Sequence, residues 1–195
     1  MLSSITPLGE RGRGRRWEVT AAWYVAGSLL GGTALGGLLG LVGEVLPPPT
    51  TATAVVLALL CLVGAALDAR LFGTRLPTIR RQVNEDWLDT YRGWVIGFGF
   101  GVQLGLGVTT IVTTSTVYLT LAAALLSGAW QAGALVGAVF GLVRALPLLA
   151  TRPLVTPAAL ASLHRRFARW EPGVHRIALA AQCAVALGLF ARGLS

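Results

Sequence analysis

Charge in this chain is segregated, and no other feature constrains its fold as strongly. Charged residues gather in the first 18 positions, in 68–92 and in 152–176. Between them lie apolar runs long enough to cross a hydrocarbon core, which takes about 20 helical residues. Inside lipid every backbone polar group must be satisfied by the chain itself, so only helices or a closed barrel can cross. The alternating pattern of barrel strands is absent. Charged residues make up 12% of the chain, against about a quarter in soluble domains.

These patterns predict an all-α, polytopic membrane helical bundle of about five transmembrane helices. The spans fall at about 21–45, 52–70, 93–126, 129–150 and 175–193, in one membrane domain over 21–195. A basic cytoplasmic arm covers 1–20; Gly12 and Gly14, set between its arginines, suggest that it is flexible, and it lacks the form of a cleavable signal. Arginine counting orients the bundle. The arm, the 70–92 loop and the 151–174 loop are arginine-rich, whereas the turns at 46–51 and 127–128 have none. Five crossings put all the rich segments on the cytoplasmic side of the inner (plasma) membrane, with the N-terminus. Trp17, Trp23, Tyr24, Trp87, Tyr91, Trp94, Trp130 and Trp170 fall near the expected interfaces.

The net charge of +8 reads as orientation and contact with anionic lipid, not as a nucleic-acid footprint. Two amphipathic stretches read as helices lying in the interface. One carries Ile79, Val83, Trp87 and Tyr91. The other starts at Thr156-Pro157 and carries Leu160, Leu163, Phe167 and Trp170.

Span 3 is too long: its 34 residues would reach about 51 Å, beyond a core of roughly 30 Å. A break is expected near Gly105–Thr110. Glycine recurs at spacing four in Gly32, Gly36 and Gly40, in Gly93, Gly97, Gly101 and Gly105, and in Gly133, Gly137 and Gly141. Such stripes let helix backbones approach closely, and they also suggest association with a partner protein or a second copy. A run of hydroxyls follows the break: Thr109, Thr110, Thr113, Thr114, Ser115 and Thr116. With Gln103 and Arg144 it forms a candidate polar cluster or substrate path. Arg144 sits inside span 4, and Asp68, at similar depth on span 2, is its expected partner. No catalytic residue, metal site or cofactor is indicated: Cys61 and Cys183 are far apart without a CxxC, and His164 and His175 have no ligand spacing.

Leu57–Arg70 resembles Leu179–Arg192, with cysteine, valine and alanine at matching places, and the two segments run in opposite directions. Spans 1 and 4 are likewise glycine-striped and opposed, as in an inverted-topology repeat. The order Gly97-Phe-Gly-Phe-Gly101, a threonine-rich break, Leu121-Ala-Ala-Ala-Leu-Leu-Ser-Gly128 and Ala145-Leu-Pro147-Leu-Leu resembles the CcdA/DsbD family of transmembrane thiol–disulfide carriers. Arg169-Trp170 before a short last span also fits. The resemblance implies two inverted three-helix halves, here without the first helix. It also implies a reactive cysteine in the first helix of each half; in the second half that position falls near Thr110, and Cys61 and Cys183 lie on other helices. The expected function is a non-enzymatic carrier-type scaffold, or the membrane subunit of a larger maturation or redox complex. A stand-alone small-solute transporter and a membrane oxidoreductase using Cys61 and Cys183 are the alternatives.

Overall fold

The computed structural model describes residues 5–46, 50–71, 91–107 and 114–193, apart from the side chains of 157, 164, 192 and 193. Seven helices are found there: α1 (Pro7–Gly12), α2 (Trp17–Gly43), α3 (Thr51–Asp68), α4 (Gly93–Leu106), α5 (Thr116–Leu126), α6 (Trp130–Leu149) and α7 (Pro157–Gly193). Four of them, α2, α3, α6 and α7, are long and apolar enough to cross a membrane. The chain is a polytopic helical membrane bundle. The expected proline connector at 47–49 and the expected surface helix at 79–91 lie outside the described residues, Tyr91 excepted.

Glycine places α2 at the centre. Against α6 it runs antiparallel, with 28 opposite 141, 32 opposite 137, 36 opposite 133 and 40 opposite 129. The contacts are reciprocal: a Cβ on Gly32 would strike the Gly137 carbonyl, and one on Gly137 would strike that of Gly32. Against α4 it runs parallel, with Gly97 on Thr20, Gly101 on Tyr24 and Gly105 on Ser28. Lipid tails are as apolar as the side chains, so association depends on such close packing and on weak Cα–H···O contacts. Ser28 sits where the three helices meet, fully buried, and its Oγ donates to the Gly141 carbonyl at 2.8 Å.

The third span is broken. Helix α4 ends at Gly107, whose φ of 70° only glycine adopts without strain, and α5 starts at Thr116. The two pieces form one crossing, because α4 begins beside the first turn of α2 and α5 ends with Leu125 against Gly43 at its last. Helices α3 and α7 pair with each other, with Ala58 and Cys61 against Ala186, and meet the rest of the bundle chiefly through α5. The resembling segments 57–70 and 179–192 therefore face each other across this pair, as the glycine stripes of α2 and α6 face each other.

Three expectations change. The arm is not a flexible tail: Thr6 caps α1 by accepting from the Gly9 N–H at 3.1 Å, and Ile5 is buried with Trp17, Ile96 and Leu148. Glu10, fully buried, accepts from Thr20 Oγ at 2.7 Å and pairs with Arg13 at 3.5 Å. The interfacial helix at 157 and the last span are one helix of 37 residues, about 55 Å long. Pro172 lies inside it without ending it, since its surroundings are exposed and water can bond the carbonyl it frees. The glycine stripes, finally, are spent within the chain, so they lend no support to self-association.

Gly137→Leu should collapse the α2–α6 contact at a cost of about 3 kcal/mol or more, because backbone cannot yield as a side chain can. Gly173→Ala, where a Cβ meets nothing within 4 Å, should be neutral or stabilising by roughly 0.5–1 kcal/mol. Thermal unfolding in detergent, followed by size-exclusion recovery, compares the two.

Candidate functional site

The break opens a helix end inside the bundle. The first N–H groups of a helix have no partner within it, and in lipid water cannot supply one. Asp68, the last residue of α3, closes the end of α5. Its Oδ1 accepts from the Ser115 backbone N–H at 2.8 Å and its Oδ2 from Ser115 Oγ at 2.8 Å. The positive end of the α5 dipole favours this carboxylate. Gly64, one turn earlier on α3, leaves room for Ser115: a Cβ there would lie 2.7 Å from its Oγ.

Gln182 of α7 completes the cluster. Its Nε2 donates to Asp68 Oδ2 at 3.0 Å and lies 3.1 Å from both Ser115 Oγ and Thr116 Oγ1. Asp68, Ser115 and Gln182 are 7%, 3% and 6% exposed. The amide oxygen of Gln182 is buried and has no hydrogen-bond partner among the described residues. One carboxylate, two hydroxyls and an amide from three helices thus converge at the discontinuity of the third span.

Arg144 is elsewhere, so the expected Arg144–Asp68 pair does not form. It is half-buried on α6, with its guanidinium 5.2 Å from the centre of the Phe140 ring and in electrostatic contact with Tyr24 of α2. The cause is the packing: α6 faces α2, while α3 packs on α5 and α7. Phe140 in turn fills the space over Gly107 at the end of α4. Gln103 is half-buried on α4, and Thr114 is half-buried just before α5. Thr109, Thr110 and Thr113 lie outside the described residues. The packing glycines Gly32, Gly36, Gly40, Gly97, Gly101, Gly105, Gly133, Gly137 and Gly141 abut partner backbones, and Gly93 abuts Thr20 and Glu10 side chains.

Gln182 escaped sequence reasoning. A signal was present: within the matching segments 57–70 and 179–192 two polar residues stand opposite apolar ones, Gln182 opposite Leu60 and Asp68 opposite Phe190. Cys183, next to it, is exposed, and Cys61 is buried; both are free thiols. Among the described residues no group of His, Cys, Asp or Glu is arranged to hold a metal ion.

The sequence pattern of a family described as cytochrome C biogenesis protein transmembrane region matches residues 3–188. The chain is 37% identical over 153 residues to the methylamine utilization protein MauF of Paracoccus versutus, covering 75% of this chain and 56% of that one. It is 32% identical over 174 residues to MauF of Methylophilus methylotrophus (87% and 60%) and 36% identical over 153 residues to MauF of Paracoccus denitrificans (75% and 55%). The chain thus spans little more than half the length of these relatives. No solved structure matches it.

Asp68→Ala and Ser115→Ala should each cost about 1–3 kcal/mol by leaving a buried group unpaired. Because the two side chains touch, the double variant should cost less than the sum by about 1 kcal/mol. A double-mutant cycle from unfolding in detergent measures this; strict additivity would deny the contact.

Proposed function

The chain belongs to the cytochrome C biogenesis protein transmembrane family, and from that premise we propose that it is a membrane subunit serving the maturation of a partner protein, without enzymatic chemistry of its own. One observation carries the reading. The discontinuity of the third span, near which the family resemblance puts a reactive thiol, is held by Asp68, Ser115 and Gln182. Thiol–disulfide exchange needs an accessible thiolate attacking a disulfide sulfur. Cys61 is buried beside Ala58 and Ala186, and Cys183 faces outward on α7. The body of a carrier is kept, with a polar cluster at its centre.

The relatives' name points to methylamine utilization as the setting in which such a subunit would serve. The inner membrane is its location, with the N-terminus in the cytoplasm. Support for that orientation comes from the arm meeting the residue just before α4, where Arg15 donates to the Tyr91 carbonyl at 2.8 Å. The exposed first half of α7, bearing Arg165, Arg166 and Arg169 beside Trp170, suits anionic lipid or a partner protein at that surface. A stand-alone small-solute transporter is the second reading, favoured by the broken helix, a frequent feature of transport sites.

Affinity purification of the full chain from native membranes should retain a stoichiometric partner, and Cys61→Ala/Cys183→Ala should leave both partner binding and maturation intact. A lone monomer that moves solute in proteoliposomes would replace this reading with the transporter, and loss of maturation in the double cysteine variant would favour an oxidoreductase.

A further inference from the structure

We propose that Asp68, Ser115, Thr116 and Gln182 form a binding site for a small monovalent cation, a sodium ion, that balances the Asp68 carboxylate at the break in the third span. This goes beyond the role in maturation and does not depend on it.

The cluster is short of positive charge. Gln182 has two N–H groups, yet its nitrogen faces three acceptors at 3.0–3.1 Å, one of them a carboxylate oxygen. Its own oxygen, meanwhile, is buried without a partner among the described residues. A half-turn of the amide about its last bond exchanges the two atoms, and the amide oxygen then faces a carboxylate oxygen and two hydroxyls. Ser115 Oγ gives its proton to Asp68, so only the Thr116 hydroxyl is left to donate among these four oxygens, and the carboxylate charge stays unbalanced. A sodium ion drawn in among them completes the all-oxygen coordination that hard cations take.

Nothing else nearby among the described residues supplies the charge. Among the described residues, no ion pair to Asp68 is formed. Helix α5 carries no charged residue, its one titratable group being the exposed Tyr118; α7 offers only the exposed Cys183 between 178 and 186. On α3 itself the neighbours are Cys61, two turns away, and the exposed Arg70. A carboxylate kept inside a span is costly, and broken helices in transport proteins set ion sites at such discontinuities. The position has leverage as well: α3 and α7 meet the rest of the bundle chiefly through α5, and this cluster is the polar part of that junction.

The test uses the full chain in lipid nanodiscs, with thermal unfolding read by tryptophan fluorescence. Choline is replaced by sodium at constant ionic strength and pH. A sodium site predicts a saturable rise in midpoint, since a ligand of the folded state stabilises it. Asp68→Asn, which keeps an oxygen for the Ser115 N–H, should abolish the response. Gln182→Leu leaves Asp68 in place and should weaken sodium binding about tenfold. A wild-type midpoint that ignores sodium, or a wild-type sodium profile that superimposes on those of both variants, would overturn the proposal.

Discussion

Everything in this bundle is hung on the backbone contact that glycine allows along α2. From Ser28 to Gly40 one side of α2 touches α6, and from Thr20 to Ser28 another touches α4, in each case with carbonyls lying where a Cβ would stand. No hydrophobic drive joins helices in lipid, so the surface saved from water explains none of this; packing density and weak polar contact do. The antiparallel register with α6 and the parallel register with α4 cross at Ser28. That residue ties α2 to α6 with one buried hydrogen bond and takes Gly105 of α4 against its backbone. The chain entering at α1 is held to the same frame, with Ile5 and Glu10 buried against it.

Around that frame, acidic side chains close the helix ends that lipid leaves exposed. Asp68 meets the start of α5 through the Ser115 N–H, and Glu44 accepts from the Trp130 N–H at 3.0 Å at the start of α6. Both carboxylates come from a different helix and sit at a positive dipole end, so each ties two elements as well as satisfying a donor. The difference is burial. Glu44 works at an exposed turn, whereas Asp68 works inside the bundle with Gln182 leaning on it. That difference makes the second a candidate site and leaves the first a cap.

Membership of a family named for cytochrome C biogenesis gives the architecture a setting, and the residues at its centre give it a particular character. Two antiparallel pairs, α2 against α6 and α3 against α7, bring the glycine stripes and the resembling segments face to face. At the break in the third span stands oxygen and amide chemistry in place of thiols.

The sequence by itself determined the helical membrane bundle, the approximate spans, the broken third crossing and the glycine faces. These follow from local physics: apolar length against bilayer thickness, and the spacing of residues without a side chain. The fate of the arm, the union of 157–193 into one helix and the partner of Asp68 were decided by tertiary structure. Arg11–Arg16 look solvated in isolation, and only the surface offered by Trp17, Ile96 and Leu148 buries Ile5 beside them. Position along the spans suggests a similar depth for Asp68 and Arg144, but pairing needs a common face as well. Because α6 turns its glycines to α2, Arg144 goes with it, and Asp68 is left to Ser115 and Gln182, which are 47 and 114 residues away in sequence.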